Sequence, residues 1–417
     1  MLVFCVAALL ALGMVMLYSS SMAQAGAHDL IRQLIWCALG LLACMGATAL
    51  DYRWLKKIVW PLLAFVLLLL ALVLNRHLGA RLNGSSRWFI FMGMSVQPSE
   101  LAKLALVLVL AWYGEHFQRQ MPTLKRGILL PGVFIGLVVG LIVIEPDFGN
   151  GLLLTAVSGL MLFVAGIRWR FFLPPLLIGL LAVGLFLQHN QMRSARIYSW
   201  LHLEETKHDK GRQAYEAMVA LGSGGITGKG LGDSRQKLGF LPEQQSDFIF
   251  AIIGEELGLI ATLLVVAAFV AIVYCGVYIA WNASDTFGLL LGVGITSLIG
   301  LQAFINIGVV SGALPNKGLP LPFISQGGSN LAILLTGIGL LLSIARRARA
   351  SSGLLEDMRN RERANPFAKR EEPQISEIRT PKSELRIGPA SHGSSDFGSG
   401  VATCFRPSDF GLRILPR

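Results

Sequence analysis

Runs of about twenty apolar residues recur along the chain, broken by short polar stretches, and that length matches the hydrocarbon core of a bilayer. Ten transmembrane helices are predicted, over residues 1–18, 30–50, 56–75, 99–114, 127–144, 149–167, 171–188, 247–280, 285–312 and 325–345. The span 247–280 is too long for one straight crossing, so a tilt, a kink near Gly254 or Gly258, or a start above the membrane is expected. Two regions leave the apolar pattern. Residues 189–246 form a long segment rich in charge, Gly and Gln, in which residues 213–221 have helical spacing. Its Gly222-Ser-Gly-Gly-Ile-Thr-Gly-Lys-Gly-Leu-Gly232 run excludes regular helix and lacks the spacing of a phosphate loop, so a close backbone approach is expected there. Residues 351–417 are polar, with alternating charge and few large apolar side chains, and read as a disordered cytoplasmic tail. The fold class is an all-α polytopic membrane protein, with its membrane domain over residues 1–350. No internal repeat supports an inverted-repeat transporter.

Composition agrees. A chain of 417 residues with 53% hydrophobic and 15% charged residues is not an ordinary soluble enzyme. The formal net charge of +11 is dispersed over loops and tail, which suits contact with anionic membrane lipid and argues against nucleic acid. A cytoplasmic N-terminus places Arg53/Lys56/Lys57, Arg119/Lys125/Arg126, Arg168/Arg170 and Arg346/Arg347/Arg349 all inside, with the C-terminus also cytoplasmic and residues 189–246 outside. Residues 76–88 carry Arg76, Arg81 and Arg87 yet fall outside; they are either tolerated charges or the binding face for an anion. Residues 1–18 lack a basic leader and read as a first membrane helix rather than a signal peptide. Cys5, Cys37, Cys44 and Cys275 lie singly in spans and Cys404 in the tail, so neither a disulfide framework nor a CxxC metal site is indicated.

Four polar clusters fall at the outer side of this topology, together with Asp247, which stands where the long loop enters an apolar helix. A carboxylate in that position is costly and needs a partner or a task. Arg87-Trp88 precedes Gln97-Pro-Ser-Glu-Leu-Ala-Lys103, where Pro98 opens a helix and Glu100 and Lys103 share a face. These two are either an ion pair at the membrane edge or a cavity wall in which Lys103 grips a phosphate beside an apolar Trp88. Glu145-Pro-Asp-Phe-Gly-Asn150 reads as a turn in which Asp147 or Asn150 caps the next helix. Arg193 and Arg196 flank the entrance of the long loop and suit either pyrophosphate or a lipid headgroup. Leu314-Pro-Asn-Lys-Gly-Leu-Pro-Leu-Pro-Phe-Ile-Ser-Gln-Gly-Gly-Ser329 is stiff and re-entrant in character, projecting Lys317 toward the cavity, while the amides at Gly327–Ser329 open a helix. One carboxylate base amid cations suits transfer from a pyrophosphorylated lipid, whose leaving group needs no protonation. Glu255 and Glu256 lie about 12–13 Å along the helix from Asp247, too far to share its reacting centre, and are expected in a structural polar network.

The blocks Gly13-Met-Val-Met-Leu-Tyr-Ser-Ser20, Arg87-Trp88 with Gln97-Pro-Ser-Glu100, Glu145-Pro-Asp-Phe-Gly149, Gly230–Glu243, Ser246-Asp-Phe-Ile-Phe-Ala251, Gly254-Glu-Glu-Leu-Gly258 and Lys317–Ser325 run in order across residues 1–346. In this the chain resembles the SEDS family (shape, elongation, division and sporulation), and its Ser234–Leu238 and Leu314–Phe323 blocks look closer to the division branch. The resemblance implies a ten-helix glycosyltransferase that polymerises lipid II into peptidoglycan strands beside a class B penicillin-binding transpeptidase and other divisome membrane proteins, on the outer face of the cytoplasmic membrane and enriched at the septum. It implies that Asp247 activates the acceptor GlcNAc 4-hydroxyl. Arg87, Lys103, Arg193, Arg196 and Lys317 would hold the donor pyrophosphate, and Trp88, Glu100 and Ser325 complete the substrate-binding set. No cofactor is required, and a divalent cation (Mg or Mn) stays open. The chain departs from the family at Ser246 (usually Thr), Gln245 (often His in the division branch), Gln326 (commonly Tyr) and in a short N-terminal arm. A lipid II flippase and a non-catalytic scaffold that activates the transpeptidase are the alternatives.

Overall fold

The computed structural model describes residues 1–21, 28–75, 80–82, 85–91, 94–175, 177, 179, 191–209, 211–234 and 245–364. Their helices are α1 (Leu2–Ser21), α2 (His28–Ala49), α3 (Leu55–Val73), α4 (Pro98–His116), α5 (Leu130–Ile144), α6 (Phe148–Val164), α7 (Gln191–Leu201), α8 (Arg212–Ser223), α9 (Ile249–Trp281), α10 (Thr286–Val310) and α11 (Gly328–Ala364). The chain divides into two units, Met1–Arg359 and Asn360–Arg417, and the helical bundle with its polar clusters belongs to the first.

Seven segments are long and apolar enough to cross a membrane: Leu2–Ser20, His28–Ala49, Tyr52–Val73, Lys125–Ile144, Ile249–Trp281, Thr286–Val310 and Gly328–Ala350. Helix α6 is apolar but shorter, and α4 carries Glu100, Lys103 and Glu115. The expected span 171–188 lies largely outside the described residues, so a count of ten is not reached among them. Side chains such as Phe4, Leu42, Met45, Phe65, Leu264, Tyr274 and Trp281 are exposed on the outer surfaces of these helices, an arrangement stable only in lipid.

Helix α4 is the axis of the bundle. Gln97 is its N-cap residue and Pro98 opens it, since a missing N–H costs nothing in a first turn. It packs against α3, α5, α6 and α10 and is buried nearly all round, as a helix surrounded by others must be. Basic residues expected on the inner side gather at one end of the bundle. Arg53 and Lys56 pair with Asp285 (both 3.2 Å), Lys56 with Glu115 (2.7 Å), and Arg347 with Asp51. Asp285 also caps α10 through Gly288 N. Burial alone would raise its pKa, but bonds from Tyr52 and Lys56 outweigh that and hold it below the usual carboxylate range.

The helical expectation needs two amendments. Three short strands form a small antiparallel ribbon, β1 (Ala80–Leu82), β2 (Ser85–Phe91) and β3 (Met94–Val96), in that order, with Ala80 opposite Trp88 and Phe89 opposite Val96. The run Trp88-Phe-Ile-Phe91 suits a pleated strand better than a loop. Helix α11 also continues through residues 351–364 into the region expected as tail; the rest of that region lies outside the described residues.

The long α9, 33 residues, breaks at Gly258, where φ is 76°. An unbroken helix would bond Leu259 N and Ile260 N to the carbonyls of Glu255 and Glu256. Instead Lys229 N and Gly230 N donate to those two carbonyls (both 3.0 Å), while Leu259 N and Ile260 N turn to the carbonyls of Gly225 (3.0 Å) and Ile226 (3.4 Å). The glycine run thus supplies the partners that the break frees, as a buried backbone requires. A Cβ at Gly258 would lie 2.3 Å from Gly228 N, so the two backbones meet only because both residues are glycine.

Candidate functional site

At the end of the bundle away from the Arg53–Asp285 cluster, Asp247 directly precedes Phe248, the N-cap residue of α9, and is partly exposed. Its carboxylate lies over the chain at Gly318, where a Cβ would come within 2.6 Å of Oδ2. The neighbouring Lys317 has its pKa lowered, first by burial and then by the positive charge of Arg196 on α7. Asp247 thus stands against the Lys317 segment, and Arg196 reaches Lys317 from α7.

The segment carrying Lys317 has three prolines, Pro315, Pro320 and Pro322, which have no N–H and build no ladder of their own. Buried amide side chains hold its carbonyls instead. Gln302 Nε2 donates to Pro320 O (2.8 Å), and Asn306 Nδ2 donates to Leu319 O (2.7 Å) and to Asp247 O (2.8 Å). Gln33 of α2 donates to Ser325 O and accepts from Gly327 N, both at 3.3 Å. The Ser325 hydroxyl accepts from Leu321 N (2.7 Å), closing a turn in which Phe323 takes a left-handed φ of 66°. Such a backbone in a bulky residue costs about 1–3 kcal/mol and persists only where its surroundings impose it. Gln326 N donates to Gln245 O (2.9 Å), tying the turn to the approach of Asp247.

A second cluster lies behind this corner. Lys103 is fully buried, paired with Glu100 (2.7 Å) and donating to Gln302 Oε1 (3.3 Å). Asn150 Nδ2 bridges Glu100 (3.5 Å) and Asp147 (2.9 Å), and Gln97 Nε2 donates to Asp147 (3.0 Å). Asp147 caps α6 through Asn150 N. Gln97 N donates to Ser329 Oγ at the start of α11 (3.3 Å). Arg87 donates to the carbonyls of Glu145 (2.8 Å) and Pro146 (2.6 Å), pinning the turn between α5 and α6. The Glu145 carboxyl is buried, with neither oxygen hydrogen-bonded among the described residues. Burial and then the charge of Asp147 push its pKa up to about 8 against the opposing pull of Arg87, so Glu145 is largely protonated at neutral pH. Gln302, one turn from Asn306 on α10, joins the two clusters.

The other residues singled out in the sequence lie elsewhere. Trp88 is half-buried in β2, and Arg193 is in α7 with its side chain outside the described set. Glu255 pairs with Lys229 (2.7 Å) and accepts from Ser234 (2.6 Å); Glu256 accepts from Ser19 of α1 (2.9 Å). Both belong to the anchoring of the glycine run and α1 rather than to the Asp247 corner. Among the described residues no three His, Cys, Asp or Glu side chains group to hold a metal ion. Sequence reasoning missed Gln302, Asn306 and Gln33. Two amides at i, i+4 in an otherwise apolar span were the available signal, because such a pair shares one face.

The family model described as "Cell cycle protein", covering FtsW, RodA and SpoVE, matches residues 1–350. The chain is 40% identical over 350 residues to "Probable peptidoglycan glycosyltransferase FtsW" of Geobacter metallireducens, covering 82% of this chain and 93% of that protein. It is 39% identical over 351 residues to "Stage V sporulation protein E" of Bacillus subtilis, covering 82% and 95%. A chain of the structure titled "Structural coordination of polymerization and crosslinking by a peptidoglycan synthase complex" superposes with a TM-score of 0.69 at 30% identity, covering 83% of this chain and 97% of that one. The crystal structure of the rod shape determining protein RodA from Thermus thermophilus gives 0.63 at 31%, covering 83% and 95%. A helical membrane bundle with these motifs in this order, matched across its whole length, belongs to the FtsW/RodA/SpoVE family.

Proposed function

We propose that this chain is an inverting peptidoglycan glycosyltransferase that polymerises lipid II into β-1,4 glycan strands in septal wall synthesis. The observation that carries the reading is the Asp247 corner, a partly exposed carboxylate against the Lys317 segment, with Arg196 acting on Lys317. Asp247 accepts the proton of the acceptor GlcNAc 4-hydroxyl. The freed oxygen forms its bond at the donor anomeric carbon, while the bond to the pyrophosphate breaks and the electron pair leaves with undecaprenyl pyrophosphate. Lys317 and Arg196 meet that growing charge, and the arginine fork suits paired phosphate oxygens. Burial disfavours the charged form of Lys317, so an arriving pyrophosphate gains more there than on a solvated lysine. The described residues do not offer a dedicated cage for Mg or Mn, and no step here runs through one.

The basic residues gathered at the opposite end support an extracytoplasmic Asp247, with both termini cytoplasmic. A class B penicillin-binding transpeptidase is the proposed partner, in keeping with the similarity to a chain of a complex described as polymerising and crosslinking. The test is glycan polymer on a gel from purified protein, cognate transpeptidase and lipid II, with wild type beside Asp247→Asn. Polymer from wild type alone supports the reading. Equal polymer from both removes Asp247 as the base. Lipid II binding without polymer from either moves weight to a flippase or a scaffold.

A further inference from the structure

We infer that Asn306 is a positioning residue for this reaction, fixing Asp247 against the Lys317 segment through its two amide hydrogens. Asn306 is 1% exposed on α10, and its Nδ2 serves Asp247 O at 2.8 Å and Leu319 O at 2.7 Å. One rigid NH2 group thus joins the main chain of the base to the main chain two residues beyond Lys317. The orientation of the amide follows from chemistry, since the opposite one would set Oδ1 against two carbonyl oxygens. Oδ1 has no hydrogen-bond partner among the described residues, so the side chain serves as a donor to these two strands of chain.

Two further buried amides among the described residues hold the segment at other points. Gln302 holds Pro320 O and turns toward Lys103, and Gln33 holds the distal turn at Ser325 and Gly327. Neither bonds to the main chain of Asp247. Loss of Asn306 leaves the Lys317 segment held by Gln213 at Asn316, by Gln302 at Pro320 and by Gln245 at Gln326, but removes this tie between Leu319 and the main chain of Asp247. A base displaced by even about 1 Å lowers turnover roughly a hundredfold, whereas donor binding spread over several cations changes little. The expected signature is therefore a fall in kcat with KM for lipid II nearly unchanged.

The inference rests on the reading of Asp247 as the base, and the experiment separates the two. Polymerisation rates are measured for wild type, Asp247→Asn, Asn306→Leu and Asn306→Asp in complex with the transpeptidase, between pH 5.5 and 8.5, beside melting temperature. Asn306→Leu is expected to lose roughly ten- to a hundredfold in kcat with KM shifted less than about threefold. In Asn306→Asp a buried carboxyl facing two carbonyls is driven toward its neutral form, whose single O–H serves one carbonyl only. The ratio of its rate to that of Asn306→Leu should therefore rise as pH falls, while any titration of Asp247 cancels in the ratio. Should Asn306→Leu not fold, the pH dependence of Asn306→Asp relative to wild type carries the test. Wild-type kcat in either variant, a rise in KM alone, or a pH-independent ratio overturns the inference while leaving Asp247 in place. Full activity of Asp247→Asn overturns the reading of the base, and the inference with it.

Discussion

Gly318 carries no side chain where the Asp247 carboxylate lies, and that absence is a condition of the site. Gly318→Ala would put a methyl group 2.6 Å from Oδ2, so the carboxylate must move. Activity should fall on the order of ten- to a hundredfold with melting temperature little changed, because Gly318 itself is exposed and the group in the way is a side-chain carboxylate. Unchanged turnover would mean that the carboxylate does not work from this position. Glu145 offers a different test. Its folded pKa of about 8 lies above the 4.5 of an ordinary glutamate. The stability this protonation contributes is fully present below about pH 4.5 and is lost as pH rises through 8. Glu145→Gln should therefore flatten the decline in melting temperature between about pH 4.5 and 8 and exceed wild type above that window. An identical slope in both proteins would place the carboxyl in a polar setting instead. Asp247 was legible in the sequence because a carboxylate at the mouth of an apolar helix demands a reason. The Gln302/Asn306 pair at i, i+4 in an apolar span marked a polar face, but the partners of Asn306 are main-chain carbonyls, which side-chain identity does not announce.

At the scale of elements, apolar runs marked nearly every helix, and the break in α9 followed from its excess length and its glycines. The partner of that break was not legible. Residues 225–230 exchange backbone hydrogen bonds with residues 255–260, and such an exchange leaves no periodicity in the sequence. The close packing predicts that Gly258→Ala strains a backbone at φ 76° and drives a methyl group into Gly228 N. The variant should lose about 1–3 kcal/mol, read as a lower melting temperature in detergent. A melt equal to wild type would show that the two segments separate freely. The ribbon of β1, β2 and β3 was missed because short aromatic strands carry too little alternation to stand out beside apolar runs. The end of α11 was placed too early because hydropathy stops at Arg346, whereas the Ala- and Arg-rich sequence beyond it is a good helix former.

Across the whole molecule, charge is sorted to the two ends of an apolar bundle, and the two ends differ in kind. One end is knitted by ion pairs among Arg53, Lys56, Glu115, Asp285, Asp51 and Arg347. The other sets a partly exposed carboxylate beside two cations that repel one another, Lys317 and Arg196, a state suited to an incoming anion. Family membership reaches across residues 1–350, so the bundle and its motifs are one unit. The proposed chemistry turns on whether Asp247 takes the proton of the acceptor. The most direct measurement is the rate of undecaprenyl pyrophosphate release from lipid II by the reconstituted complex, wild type against Asp247→Asn, with lipid II binding followed in parallel. A base at Asp247 requires a loss of roughly 10²- to 10⁴-fold in release with binding retained. Release within a few-fold of wild type would mean that another group takes the proton.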